Sequence, residues 1–386
     1  MDSTAGVVYV IDSSNHRIRR VTLAGIVTTL AGNGAGAFAN GIGNQASFYN
    51  PYGGAVDPVS KDLFVGDGFN FRVRRVTASG VVTTFAGIGT SGSDNSKGLG
   101  LFASFTLPDG IAIDSSGVLY VGDRSGSAAV RVIAPDSSVR TLAGGSTGYR
   151  DGAGSTASFN NTFGVAVDAG GNVYVGDRNN HVIRLVTPAG AVSTFAGSAR
   201  VSGWTDGVGT RAAFNNPTRL SFAPNGNLIV PDWGNNCVRM ITPSGQVSTL
   251  AGGAGGGYAD GVGSAALFLR PEGVAVDSYG TIYIVEQNMR LRVMQCVGTS
   301  MPPTPTPSAT PSFTSTPAST PSAVLSYSSS GALAPVRICV FSRGASSSTA
   351  ILSKSPPTHT TPRPFLVFIQ HLFFMYQRLL LLVWWV

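Results

Sequence analysis

An acidic residue followed by an arginine recurs six times along the chain, and this is a pairing that acid–base chemistry could use. The acids are Asp12, Asp67, Asp123, Asp177, Asp232 and Glu286, and the arginines are Arg19, Arg74, Arg131, Arg184, Arg239 and Arg292. A catalytic pair acts at one point of a molecule, whereas a pair present in nearly every copy of a repeat belongs to the architecture. We therefore predict that these residues are buried and structural, joined by charge-assisted hydrogen bonds.

Metal chemistry would need ligands that converge on one point. Of the four histidines, only His16 and His181 lie within the repeats, at the same repeat position three copies apart. A zinc site takes three or four ligands around one centre. Nucleophile, metalloprotease and phosphate-loop motifs are not found in the sequence. The sequence predicts no catalytic residue, no metal site and no cofactor, and Cys237 and Cys296 are expected to act as small hydrophobic residues rather than as a disulfide.

The elements that carry these residues are short strands in a long repeat. The recurring acids are spaced by 55, 56, 54, 55 and 54 residues, and each ends an apolar segment such as LFVGD or VYVGD. With 50 glycines and 12% charged residues, the chain suits strands joined by tight turns. Each unit contains four such segments, without helices long enough for parallel crossovers. The sequence therefore predicts an all-β protein, a six-bladed β-propeller.

One extended loop accounts for the length of the period. It contains a DGxG motif, at Asp151, Asp206 and Asp260, followed by an AxF motif that ends at Phe48, Phe105, Phe159, Phe214 and Phe268. The aspartates are expected to form turns through local backbone hydrogen bonds. The phenylalanines are expected to fill the space between blades.

The repeat resembles a known family. The segments DSSNHRIRRV and DRNNHVIRLV, together with TFAG and the DGxGxxAxFNNP pattern, resemble NHL-repeat propellers over residues 1–298. That resemblance implies a β-propeller fold. Tripartite-motif members imply RNA binding as an alternative, and the related amidating lyases imply zinc chemistry.

The two ends of the propeller region are expected to be incomplete. Asp2 aligns with Asp168, the last residue of a first strand, and the sixth unit ends at its third strand near Cys296. The sequence thus predicts a ring that lacks one innermost and one outermost strand, and an N-terminus that is truncated, so that no signal peptide is visible.

The remaining residues differ in composition from the repeats. All 19 acidic residues precede position 300, so the repeats carry +2 of the formal charge of +7. Residues 299–364 are predicted to be a disordered stalk or linker rich in proline, serine and threonine. Residues 365–386 form a hydrophobic segment that is long enough to anchor the chain in a membrane. A cleaved lipid-anchor signal and a mistranslated tail are the alternatives.

Function is expected where the copies differ, on the face formed by the loops before the first and third strands. After the proline position of the first strand stand Tyr52, Asp109, Phe163, Thr218 and Glu272, and after the acid of the second strand stand Phe69, Arg124, Arg178 and Trp233. Three copies carry arginine at the start of the third strand, Arg17, Arg72 and Arg290. Arginine and aromatic residues dominate binding hot spots.

These residues predict a non-enzymatic binding scaffold for a protein, peptide or glycan. We expect a monomeric propeller, secreted or at the cell surface, with membrane attachment through the C-terminus. The RNA-binding alternative would use Arg17, Arg72, Arg75 and Arg290, with Phe69 stacking on a base. A metal-dependent lyase or hydrolase would use Asp109 and Glu272 as calcium ligands.

Overall fold

The computed structural model describes residues 1–94, 100–126, 128–253 and 255–295, and the backbone of Arg337–Val340. The described chain forms six antiparallel sheets in succession, which confirms the predicted all-β six-bladed propeller. The predicted stalk and hydrophobic segment lie outside the described residues, apart from Arg337–Val340. Cys296 also lies outside them, whereas Cys237 is a buried free thiol. Within the described part of the chain, no helix is long and apolar enough to cross a bilayer.

The six sheets, numbered as blades 1 to 6, share one strand order. Blade 1 contains Val7–Asp12, Arg17–Thr22 and Val27–Ala31; blade 2 contains Pro51–Val56, Leu63–Asp67, Arg72–Val76 and Val81–Ala86; blade 3 contains Pro108–Ile113, Leu119–Asp123, Ala129–Ile133 and Val139–Gly144. Blade 4 contains Thr162–Val167, Val173–Asp177, Val182–Val186 and Ala191–Ala196; blade 5 contains Ser221–Phe222, Leu228–Asp232, Cys237–Ile241 and Gln246–Gly252; blade 6 contains Pro271–Val276, Ile282–Glu286, Arg290–Met294 and Arg337–Val340.

Short 3₁₀ helices connect these strands. Four of them follow the acid of a second strand: Ser13–Asn15, Gly68–Asn70, Arg178–Asn180 and Trp233–Asn235. The other described ones lie in the loops between blades: Gly43–Gln45, Gly100–Phe102, Gly154–Thr156, Gly209–Arg211 and Gly263–Ala265. In blades 1 and 4, the residue that ends the helix after the second strand is His16 or His181, in the left-handed conformation.

The core consists of apolar layers between neighbouring blades. Each of the five layers from the blade 1–2 contact to the blade 5–6 contact contains one phenylalanine from the connecting loop, as the sequence predicts: Phe48, Phe105, Phe159, Phe214 and Phe268. All five of these side chains are fully buried. A sixth layer joins blade 6 to blade 1 and contains Val8, Val21, Tyr283 and Leu291. The apolar layers therefore close the circle of blades.

The strand count differs from the expectation at blade 6. Blade 1 has three strands, as predicted, but blade 6 has four. Its outer strand is Arg337–Val340, which pairs antiparallel with Arg290–Met294 and lies within the segment predicted to be a disordered linker. Without a fourth strand, the third strand of blade 6 would present unpaired backbone N–H and C=O groups at the edge of the sheet. Pairing with Arg337–Val340 provides hydrogen-bond partners for them.

The connecting loops are attached to the blade that follows them. Two residues of the loop pair with the fourth strand of that blade and add a short fifth strand: Gly41–Ile42 in blade 2, Gly152–Ala153 in blade 4 and Gly207–Val208 in blade 5. In these three blades, the fifth strand covers the outer edge of the sheet.

The recurring acid and arginine lie at the centre of this attachment. In blade 4, Nη1 of Arg184 donates to Asp177 at 2.9 Å and to the carbonyl oxygen of Ser158 at 3.2 Å. Its Nη2 donates to the carbonyl oxygen of Arg150 at 3.0 Å and to Asp151 at 2.6 Å. The guanidinium thus bonds its own sheet and the connecting loop at once.

The same arrangement, here called the arginine clamp, recurs in blades 2, 5 and 6 and, through Nη1 alone, in blade 3. Arg74, Arg131, Arg184, Arg239 and Arg292 are each 0% exposed, and each lies over the loop phenylalanine at 4.8–5.2 Å from the ring centroid. Their acids Asp67, Asp123, Asp177 and Asp232 are also 0% exposed, and Glu286 is 5% exposed. The pair of Asp12 and Arg19 in blade 1 differs, because the two side chains are 24% and 32% exposed.

The structure corrects the expected role of the DGxG aspartates. Asp151, Asp206 and Asp260 accept hydrogen bonds from the clamp arginines Arg184, Arg239 and Arg292 at 2.6–2.8 Å. They are therefore long-range partners rather than local turn formers. The reason is geometric, because Asp151 and Asp206 directly precede the two loop residues that pair with the fourth strand, and this pairing holds them beside the guanidinium.

Candidate functional site

The first strands position the mouth of the propeller through β-bulges. The pairing of first and second strands shifts between Pro51 and Gly54, between Thr162 and Gly164 and between Pro271 and Gly273. In blade 3, Asp109 and Gly110 of the first strand likewise lie opposite the single residue Gly122 of the second strand. A bulge re-aims a side chain out of the sheet. It falls at the positions of Tyr52, Asp109, Phe163 and Glu272, four of the residues predicted to surround the channel.

Blade 5 shows the same one-residue shift between Pro217 and Ser221, but the residue at its mouth differs from the prediction. Thr218 is fully buried, and its hydroxyl donates to the carbonyl oxygen of Pro231 at 3.2 Å. The next residue, Arg219, extends to the mouth instead. Arg219 stands at the repeat position that holds glycine in blades 2, 3, 4 and 6, namely Gly53, Gly110, Gly164 and Gly273. The sequence analysis missed Arg219.

Arg219 joins blades across the mouth. It donates to Asp109 of blade 3 at 2.5 Å and to Glu272 of blade 6 at 2.9 Å. Asp109 is fully buried and also accepts from Arg124 at 2.8 Å. Burial by itself lowers the pKa of Arg219, but the carboxylates of Asp109 and Glu272 outweigh it and raise that pKa. Arg219 therefore remains charged, and three blades are tied together by ion pairs.

A second layer of arginines stacks on aromatic rings around these ion pairs. Arg178 lies 4.8 Å from the ring centroid of Phe163 and 4.7 Å from that of Trp233. Arg124 lies between Tyr52 at 4.8 Å and Phe163 at 5.0 Å. Arginine over an aromatic face is a cation–π contact. We call Tyr52, Asp109, Arg124, Phe163, Arg178, Arg219, Trp233, Arg270 and Glu272 the mouth cluster; Arg270 belongs to it because it lies 4.5 Å from the Trp233 ring.

An aromatic rim extends from the mouth cluster towards blade 1. Phe69 contacts Tyr52 and Tyr49 edge-to-face, with ring centroids 6.2 and 5.1 Å apart. Tyr49 in turn contacts His16 at 5.6 Å. Phe69 and Tyr49 are 40% and 41% exposed. Large aromatic side chains that are held by their neighbours and partly exposed are suited to ligand contact.

The three arginines at the start of third strands, which were predicted to belong to the binding surface, contact connecting loops instead. Arg72 lies over Phe38 at 3.9 Å and donates to the carbonyl oxygen of Ile88. Arg17 donates to the carbonyl oxygen of Asn33, and Arg290 lies over Tyr258 at 3.4 Å. Each of these contacts is with a connecting loop, so the described contacts do not bring the three arginines into the mouth cluster.

The histidines also bond to connecting loops. Nδ1 of His16 accepts from the backbone N–H of Asn50 at 3.1 Å, and Nδ1 of His181 accepts from that of Asn216 at 3.1 Å. Burial lowers the pKa of His181, which favours the neutral ring that this acceptor role needs. Among the described residues, no group of three or more His, Cys, Asp or Glu is placed to hold a metal.

Close backbone contact keeps the mouth cluster in position. A Cβ atom on Gly164 would lie 2.4 Å from the Cα of Arg219 and 2.7 Å from the carbonyl oxygen of Thr218. Glycine is needed there because two first strands approach each other without room for a side chain.

Gly164→Ala is therefore expected to push blades 4 and 5 apart and to weaken the bond between Arg219 and Asp109. We expect a loss of about 1–3 kcal/mol in the free energy of unfolding, the usual cost of overpacking. Urea unfolding followed by circular dichroism measures it. Gly255→Ala is the control, since a Cβ there meets nothing within 4 Å. Equal stabilities of the two variants would contradict the close approach.

Comparison with known proteins yields relatives that carry the same repeat. No protein-family model matches the chain. NHL repeat-containing protein 2 of Homo sapiens is 27% identical over 271 residues, which is 61% of this chain and 37% of that protein. Protein SUPPRESSOR OF QUENCHING 1, chloroplastic, of Arabidopsis thaliana is 27% identical over 251 residues, 61% of this chain and 24% of that protein. The match thus spans about a quarter to just over a third of the length of these curated relatives.

Solved structures of both binding proteins and enzymes share the fold. An auxiliary nutrient binding protein from Bacteroides ovatus has a TM-score of 0.55 at 18% identity, covering 73% of this chain and 64% of that chain. A putative gluconolactonase has a TM-score of 0.51 at 12% identity, covering 76% and 85%. At such identities the likeness concerns the fold alone. The repeats and the six-bladed architecture identify the chain as a β-propeller, and its repeats are similar to those of NHL repeat-containing proteins.

Proposed function

We propose that this propeller is a non-enzymatic recognition scaffold, which binds a protein, peptide or glycan at its mouth. The observation that carries the proposal is the mouth cluster with its aromatic rim. Arginines and aromatic rings from blades 2 to 6 stack in one continuous series, and Phe69 and Tyr49 extend it towards blade 1. Arginine, tyrosine and tryptophan are the residue types that supply most of the binding energy at interfaces.

The carboxylates of the mouth favour binding over metal-assisted chemistry. Asp109 accepts from two guanidinium groups, and Glu272 accepts from one. A carboxylate that neutralises an arginine is a poor ligand for calcium, since the metal would have to displace the cation. These contacts argue against Asp109 and Glu272 as ligands in a metal-dependent lyase or hydrolase.

The arrangement of arginines does not favour the RNA-binding alternative. Arg17, Arg72 and Arg290 are bound to connecting loops, and Arg75 forms an ion pair with Asp62. The four side chains that would contact RNA are thus engaged with the protein itself. The repeats carry only +2, with 19 acidic residues against 21 basic ones before position 300. Nucleic-acid binding depends on a surplus of positive charge on one face.

Location outside the cell or at its surface is part of the same proposal. The composition of residues 299–364 supports a stalk, and a binding scaffold at the surface would use one to hold its mouth away from the membrane. The hydrophobic residues 365–386 would supply the attachment.

Peptide and glycan arrays probed with the full chain test the function. We expect binding that is lost in Trp233→Ala, because this ring supports both Arg178 and Arg270. Tyr279→Ala is the matched control; Tyr279 is 53% exposed and lies in the turn between the first and second strands, at the opposite end of blade 6. Binding that survives Trp233→Ala, or that is lost equally in both variants, would place the ligand elsewhere.

A further inference from the structure

Arg178 differs from every other arginine of the mouth cluster in its partners. Arg124 and Arg219 form ion pairs with acids, and Arg270 donates to the side-chain oxygen of Gln287 at 3.2 Å. The guanidinium of Arg178 has no hydrogen-bond or ion-pair partner among the described residues; its buried Nε lacks one as well, a feature that it shares with Arg219 and with the five clamp arginines. Its two Nη groups are not buried, so they are accessible at the mouth to donate to a ligand. Its position at the mouth makes a ligand the natural partner.

The surroundings of Arg178 determine the direction from which a ligand can bind. The guanidinium carbon of Arg178 lies 4.8 Å from the ring centroid of Phe163 and 4.7 Å from that of Trp233. These contacts leave the Nη groups without a hydrogen-bond acceptor among the described residues. A planar guanidinium donates two parallel hydrogen bonds to a planar carboxylate, and stacking between rings fixes its orientation in advance.

The charge of the mouth cluster limits the ligand to a weakly charged anion. Its four arginines are Arg124, Arg178, Arg219 and Arg270, and its two acids are Asp109 and Glu272. The surplus of two positive charges attracts an isolated carboxylate. The acids would repel a chain of closely spaced phosphates or sulfates, for which sites with many unpaired basic residues are usual.

We propose that Arg178 binds a carboxylate of an acidic peptide, whose neighbouring apolar residues contact the aromatic rim. The inference rests on the proposed function and names the ligand class for the same mouth. Tyr49 and Phe69 supply the apolar contacts, since both are held edge-to-face and about two-fifths exposed. An extended peptide would thus place an acidic side chain at Arg178 and aromatic or aliphatic side chains towards blade 1.

The test uses two synthetic peptides, Ac-(Glu-Gly-Phe-Gly)₃-NH₂ and the same sequence with glutamine in place of glutamate. Isothermal titration calorimetry with the full chain measures the dissociation constants. We expect the glutamate peptide to bind at least about tenfold more tightly, as one charge-assisted bidentate contact allows. Arg178→Gln should remove that preference, whereas Arg211→Gln should leave it unchanged, because Arg211 is exposed and lies in a connecting loop.

Three results would overturn the inference. The first is equal affinity for the two peptides, or no binding of either at concentrations up to about 1 mM. The second is a glutamate preference that Arg178→Gln leaves intact. The third is tighter binding of a twelve-nucleotide RNA or a heparin oligosaccharide than of the glutamate peptide. Since Arg178 donates no side-chain hydrogen bond in the described structure, Arg178→Gln removes only its two cation–π contacts and should remain folded, and its melting curve verifies this.

These results separate the inference from the proposed function. If the peptides fail but an array ligand still binds in a manner that needs Trp233, the mouth is a binding site and only the ligand class is wrong. If no array ligand depends on Trp233, the proposed function itself fails.

Discussion

Arg184→Ala lowers the free energy of unfolding by about 3–5 kcal/mol, the cost of removing one partner of a buried ion pair. The variant leaves Asp177 at 0% exposure without its counter-charge. It also removes three further hydrogen bonds, to Asp151 and to two loop carbonyl oxygens. Urea unfolding monitored by near-ultraviolet circular dichroism measures the change.

The chain contains two controls for this prediction. Arg19 occupies the same repeat position, but its ion pair with Asp12 is partly exposed, and it bonds no preceding loop among its described contacts. Arg19→Ala should therefore cost about 1 kcal/mol or less, the usual value for an exposed pair. Arg211→Ala, at an exposed arginine, should change stability by less than about 0.5 kcal/mol. If Arg184→Ala behaves like Arg19→Ala, the clamp does not stabilise the fold.

Phe214→Ala is expected to cost about 3–5 kcal/mol, as is usual when a fully buried aromatic side chain is truncated. Phe214 is 0% exposed, lies in the apolar layer between blades 4 and 5 and supports Arg239 at 5.1 Å. The variant leaves a cavity in that layer and removes the surface on which the guanidinium stacks.

Differential scanning calorimetry of Phe214→Ala beside Tyr279→Ala checks this expectation. Tyr279 is 53% exposed, and its replacement should change the melting temperature little. Phe214→Leu should recover part of the loss, because it refills part of the cavity. A loss below about 1 kcal/mol in Phe214→Ala would mean that the layers between blades do not depend on the loop phenylalanines.

Features that repeat could be predicted from the sequence alone. The spacing of Asp67, Asp123 and Asp177 determines where each second strand ends, and the structure ends those strands at the same residues. The phenylalanines of the AxF motif could be assigned to the layers between blades for the same reason. A pattern present in several copies constrains the fold because each copy packs against its neighbours in the same way.

Features of single copies could not be predicted in this way. Arg219 reaches the mouth from the repeat position that holds glycine in blades 2, 3, 4 and 6, and a repeat alignment assigns that place to Thr218. The partner of Asp151 is Arg184, which lies 33 residues later, and only the path of the loop brings them together. The contacts of Arg178 come from two different blades, so neither its isolation nor its stacking is visible in one repeat.

The attachment of each connecting loop has a consequence for how such chains can be recombined. The loop at residues 32–50 contributes a short strand to blade 2 and bonds Arg74 of that blade through Asn40 and through two carbonyl oxygens. The natural module is thus a loop together with the sheet after it, rather than a sheet together with the loop that leaves it. Chimeric propellers should be joined just after a fourth strand, so that every guanidinium is transferred with the acid it neutralises.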